Sequence, residues 1–182
     1  METHGLVCHS DRPAKSVQAV EVQIRQCASG QLAATYVAVS NAGSILIPPP
    51  AVQPCRKDEL WKTTCFEAFV RGKDGESYYE FNFAPSGDWA AYSFESYRNE
   101  MRAAPLDAPS MDVSPDPYRL EMTVIADLPD LSPAAGWPIA LSAIIEETDG
   151  TKSYWALSHP SGAPDFHHPA CFAAFLPAPH NT

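Results

Sequence analysis

The chain has 182 residues, 45% of them hydrophobic, which is enough for one domain with a full core and too little for two. Twenty-two acidic residues against 12 basic ones give a net charge of −10, a surface that repels phosphate backbones and anionic membranes and argues against nucleic acid as a partner. Eighteen prolines argue against long helices and favour short strands joined by turns.

In chain order, residues 17–24 (V-Q-A-V-E-V-Q-I) alternate apolar and polar side chains, the period of a half-buried strand. Residues 31–40 form its hairpin partner across the turn 27–30, and 45–47 a short strand closed by Pro48, Pro49 and Pro50. Residues 63–71, the turn 72–75, residues 76–84, the turn 85–88 and residues 89–94 predict a three-stranded meander. Residues 96–104 suit a helical turn or a strand, and 105–117, with four prolines, a loop. Further strands are expected at 118–127, 139–147 and 151–158, with 172–176 closing the sheet. The expected architecture is therefore all-β: an antiparallel two-sheet β-sandwich over residues 17–176, flanked by an N-terminal extension, 1–16, and a C-terminal tail, 177–182. A closed barrel is the architectural alternative.

Side chains alternate across a strand, so the central hairpin sorts into two faces. Tyr79, Phe81 and Phe83 with Phe66, Ala68 and Val70 form the core-facing set. Tyr78, Glu80 and Asn82 with Cys65, Glu67 and Phe69 face the other way, which gathers two carboxylates and an amide beside aromatic rings. Such a surface suits a sugar: the polar groups take hydroxyls, and a ring packs on the C–H face of a pyranose. The same two acids also allow a glycosidase. Asp165, His167 and His159 near the C-terminus allow either a hydrogen-bonded loop or a metal site, with the loop preferred and His168 pointing away from His167.

No nucleophile elbow, phosphate-binding loop, dinucleotide fingerprint or H-E-x-x-H motif occurs, which lowers the prior for an enzyme. The five cysteines include no C-x-x-C pair, so the thiols are expected to be reduced and no structural zinc is expected. No apolar run approaches the roughly 20 residues of a membrane span, and residues 1–25 lack a leader-like stretch, so a cytoplasmic location is expected.

The blocks L-W-K-T-T-C-F-E-A-F-V (60–70), Y-Y-E-F-N-F-A-P-S-G-D-W-A-A-Y (78–92), Y-W-A-L-S-H-P (154–160) and P-D-F-H-H-P-A-C-F (164–172) resemble the DOMON-like superfamily, close to the type 9 carbohydrate-binding modules. The resemblance implies a sandwich of jelly-roll type that holds sugar chain ends between two tryptophans. Carried over by position, Trp61 supplies one ring, Glu67, Glu80 and Asn82 the polar contacts, and Trp155 the second ring. Other members of the superfamily hold haem through a Met and a His, but Met101, Met111 and Met122 sit in no motif that marks a ligand. No dense acidic loop suggests calcium. The resulting expectation is a non-catalytic module that binds a carbohydrate or a similar polar small molecule and needs no cofactor. A haem- or metal-binding redox domain is the alternative, and a glycoside hydrolase stands behind it.

Overall fold

The structure, a computed structural model, describes residues 2–27, 30–72, 75–128 and 136–178. Among the described residues there are twelve strands: β1 (Glu2–Cys8), β2 (Val17–Gln26), β3 (Gln31–Ser40), β4 (Cys65–Arg71), β5 (Tyr78–Phe83), β6 (Trp89–Phe94), β7 (Arg102–Ala103), β8 (Ser110–Pro115), β9 (Arg119–Asp127), β10 (Trp137–Glu146), β11 (Lys152–Ala156) and β12 (Ala174–Leu176). The helical content among the described residues is two 3-10 turns, Leu60–Lys62 and Pro169–Cys171. The all-β, antiparallel class is as expected.

Hydrogen bonding joins the strands into one large curled sheet in the order β7-β6-β5-β4-β10-β11-β1-β2-β3-β9-β8, with β12 pairing the start of β10. Two separate sheets were the expectation. The difference lies in β1, which pairs β2 through Glu2–Leu6 and then β11 through Val7 and Cys8. The segment expected as an N-terminal extension, 1–16, thus contains at Glu2–Cys8 the strand that makes the sheet continuous. That strand shows little alternation, since Leu6 is its one buried side chain. Its order comes from backbone pairing on both edges.

The curl brings the two halves face to face. Val20, Val22, Ile24, Tyr36, Leu120, Met122 and Val124 from one half pack with Phe66, Val70, Phe81, Phe83, Ile139 and Leu141 from the other in a single buried cluster. Tyr36 donates its O–H to the carbonyl of Glu67 at 2.9 Å, and its ring lies 4.9 Å from that of Phe66. At roughly 1.5–3 kcal/mol for each large side chain fully buried, this cluster is the principal source of stability.

The expected turn at 85–88 forms as read. Ala84 N–H donates to Asp88 O at 3.0 Å and Gly87 N–H to Ala84 O at 2.9 Å. Gly87 takes φ 92°, where a Cβ would also meet Pro54 Cγ at 3.0 Å, so the position requires glycine. The expected turns at 27–30 and 72–75 include residues outside those described. Residues 105–117, expected as loop, hold the six-residue β8. It is an edge strand paired only to β9, the setting in which proline is tolerated. Residues 45–47 contribute one bridge, from Ile45 to Glu147. Residues 96–104 give a tight turn and then β7.

Candidate functional site

The face of β4, β5, β6, β10 and β11 that points away from the main core carries a second buried cluster. It includes Cys65, Phe69, Tyr78, Tyr92, Phe94 and Ile144, with Phe166 and Cys171 packed onto it from the C-terminal segment. The register is that expected from alternation. Glu67 stands opposite Asn82 on β5 and opposite Ser142 on β10, and Glu80 stands opposite Phe69 and Tyr92. Residues directly opposite in a sheet share a face, so Glu67, Glu80, Asn82 and Ser142 converge.

Three segments cover this face: the 3-10 turn with Trp61, the turn after β6 with Arg98 and Met101, and the C-terminal segment with Pro164, Phe166 and His167. Between them and the sheet lies a cavity of about 380 Å³, floored by Glu67, Glu80 and Ile144 and walled by Trp61, Phe94, Tyr154 and Phe166. That volume is at the small end of ligand pockets, which run from roughly 300 to 1,000 Å³.

The two acids are only 3% and 5% exposed. Each has one oxygen held by the protein: Ser142 Oγ–H donates to Glu67 Oε2 at 2.9 Å, and Asn82 Nδ2–H donates to Glu80 Oε1 at 2.8 Å. Among the described residues, Glu67 Oε1 and Glu80 Oε2 have no hydrogen-bond partner. Burial, followed by the neighbouring Glu80 charge, pushes the Glu67 carboxyl up to about 8; the Ser142 bond and Arg98 pull the other way. Burial raises Glu80 to about 7 against the opposing Asn82 bond and Arg98. Two carboxylates with no adjacent free cation do not both ionise readily in such a setting.

A polar frame supports the pair. Tyr78 Oη accepts from the Arg98 backbone N–H at 3.2 Å and lies 2.8 Å from His167 Nδ1. The other ring nitrogen of His167, Nε2, lies 3.6 Å from Glu80 Oε2. Burial and then the Arg98 charge lower His167 to about 4, so the ring is neutral. Asp165 ties the covering segments together. Its Oδ1 accepts from Arg98 Nη2 at 2.8 Å and from His167 N–H at 3.2 Å, and its Oδ2 accepts from Tyr97 O–H at 2.5 Å. Partial burial works to raise Asp165, but the bonds from Tyr97 and Arg98 outweigh it and hold the carboxyl below its ordinary value. Arg98 and Glu100 adopt left-handed backbone, φ 53° and 55°, at a cost of roughly 1–2 kcal/mol each for residues with a Cβ.

Of the residues singled out from the sequence, Trp61, Glu67 and Glu80 line the cavity. Asn82 is fully buried behind Glu80, with its Oδ1 3.7 Å from Cys65 Sγ, and acts as a support. Trp155 is a correction. It stands opposite Ala143, which in turn stands opposite Phe66, so its ring enters the main core, where Nε1–H donates to Ser153 Oγ at 2.9 Å. Tyr154, one residue earlier and opposite Ile144, supplies the ring on the cavity side. Arg98, Phe166 and Ser142 had no sequence signal. His167, which the sequence allows as a metal ligand, is part of this wall.

His159, Asp165 and His167 do not share a centre. His159 Nε2 bonds the Val7 carbonyl at 2.8 Å, and the other two serve the network above. Among the described residues no three His, Cys, Asp or Glu side chains are placed to hold a metal ion. Nor do the residues fit a haem. Met122 is fully buried in the main core and Met111 packs against that core. Met101 reaches the cavity, but His167, the histidine that lines it, has Nδ1 engaged by Tyr78 and Nε2 against Glu80, so neither ring nitrogen is open to an iron.

No protein-family model matches the chain, and no curated protein matches it either. Among solved structures it resembles the crystal structure of a "putative carbohydrate-binding protein" from Bacteroides uniformis ATCC 8492, with a TM-score of 0.70 and 17% identity. The match covers 97% of this chain and 85% of that one. At that identity the likeness establishes a shared fold, and the chain is built on the same all-β scaffold as that protein.

Proposed function

We propose that the chain is a binding module for a carbohydrate or a closely related polyol, held in the cavity over Glu67 and Glu80. The observation that carries this reading is the pair of unpartnered carboxyl oxygens on the floor of an aromatic-walled cavity. Sugars offer vicinal hydroxyls to such oxygens and C–H faces to such rings. Trp61 and Tyr154 are the rings we assign to ligand stacking, with Arg98 and the His167 ring as further hydrogen-bonding groups. The resemblance to type 9 modules of the DOMON-like superfamily, whose scaffold is a jelly roll, supports the same reading. So does the fold shared with the Bacteroides uniformis protein.

Three of the four tryptophans, Trp89, Trp137 and Trp155, are buried, and Trp61 is only partly so. Saccharide binding should therefore appear as a change in Trp61 emission. A titration series of mono- and disaccharides, followed by Trp61 emission in wild type and by calorimetry in both wild type and Trp61→Ala, tests the proposal. We expect at least one saccharide to bind, and the substitution to weaken it by roughly tenfold or more, in line with the loss of a buried aromatic contact. Wild-type affinity in Trp61→Ala, or no binding across the series, refutes it.

A further inference from the structure

The two acids are unusual in what does not accompany them. Burying a carboxylate costs several kcal/mol unless a cation or a full set of donors compensates, and here each acid receives a single hydrogen bond from the protein. The nearby cation, Arg98, is engaged: its Nη2 pairs with Asp165 at 2.8 Å, and its side chain is half exposed at the rim. Tyr78 and Tyr92 bond His167 and Asp58 rather than the acids, and His167 is held neutral. From every element packed against the pair the approach is neutral or already paired. The remaining open direction is the cavity that both acids line together with Trp61, Phe94, Tyr154 and Phe166.

We infer that the ligand of this cavity carries a protonated amine, as an amino sugar does, and that its ammonium group sits between Glu67 and Glu80. The inference rests on the cavity being the binding site proposed above and narrows the ligand class. An ammonium supplies the positive partner that the protein leaves out and donates to both free oxygens. Aromatic walls favour a desolvated cation through their ring faces. The hydroxyls of the same ligand meet Arg98 and His167 at the rim. On binding, one of the two carboxyls gives its proton to solvent and becomes the carboxylate that pairs the ammonium, while the other stays neutral, so the complex gains one ammonium–carboxylate contact and the buffer gains one proton.

The test is calorimetry near pH 6.5, where the amines are protonated, with the three common 2-amino-hexoses, their N-acetyl forms and the parent hexoses. Cyclohexylamine serves as an amine without hydroxyls. We expect an amino-hexose to bind at least tenfold tighter than its parent and N-acetyl forms, a difference of about 1.4 kcal/mol. The advantage should vanish in the Glu67→Gln/Glu80→Gln double variant, and the binding heat should vary with the ionisation heat of the buffer. Parent hexoses binding as well as or better than the amino forms overturn the amine inference and leave the sugar-binding proposal standing. Binding of cyclohexylamine alone supports the amine and overturns the sugar. If none of these compounds binds, both fall.

Discussion

Replacing Glu67 by Gln removes a buried titratable carboxyl while keeping an oxygen for Ser142 to donate to. The folded carboxyl holds its proton to about 8, against an ordinary value of 4.5, so across that interval the native state binds more protons than the unfolded chain. The stability Glu67 contributes is therefore complete below its unfolded value and is lost as pH rises toward 8. Glu80 behaves likewise up to about 7. His167 and His159, both lowered, act in the opposite sense below 6.5 and drop out above it. Between pH 6.5 and 8 the carboxyls are thus unopposed by these histidines. Glu67 should cost about 2 kcal/mol over that interval, at about 1.4 kcal/mol per pH unit, with Glu80 acting in the same direction. Urea unfolding followed by tryptophan emission at the two pH values measures this directly. Glu67→Gln should become more stable than wild type by about 2 kcal/mol more at pH 8 than at pH 6.5. A difference that changes by less than about 0.5 kcal/mol, or a wild type that gains stability over the interval, refutes the assignment of a buried, proton-retaining pair.

Trp155→Ala should lower stability by about 3–5 kcal/mol because the ring fills the main core. Saccharide affinity, titrated where the variant is still folded, should match wild type, and loss of affinity without loss of stability would return Trp155 to the site. Asp165→Ala removes the acceptor shared by Arg98, Tyr97 and the His167 N–H. Amide exchange in residues 160–172 should then quicken by roughly tenfold or more, while β4 and β5 keep their protection. Unchanged exchange there would show that Asp165 does not hold the covering segment.

Much of the sheet was legible because one-sided burial writes itself as alternation. The facing of Phe66, Phe81 and Phe83 against Glu67 and Glu80 follows from parity alone. Parity within a strand does not say how one strand aligns with a distant one. Tyr154 and Trp155 differ by one residue and enter opposite faces, and pairing with Ile144 and Ala143 decides which is which. The elements missed were those whose order comes from backbone pairing instead of a buried stripe. β1 buries one side chain, and β8, an edge strand, is mostly exposed. Arg98 escaped for another reason. Its left-handed backbone occurs without a glycine to announce it, and its partner Asp165 lies 67 residues away. The cavity itself is a tertiary product: sheet acids and covering segment meet only after the chain has folded back on its own outer face.

The shared strand β1 has a consequence for how the molecule is assembled. Its first partner, β2, follows within a few residues, whereas its second, β11, pairs Val7 with Ala156 across most of the chain. A ribosome releases β1 long before β11, so the seam between the halves closes late. Contacts of such long range slow folding, since the loop must be ordered before they reward it. The hairpin of β2 and β3 can form early and wait for the meander of β4 to β6. Closure of the seam at Val7 and Cys8 is then the step at which two half-formed sheets become one molecule.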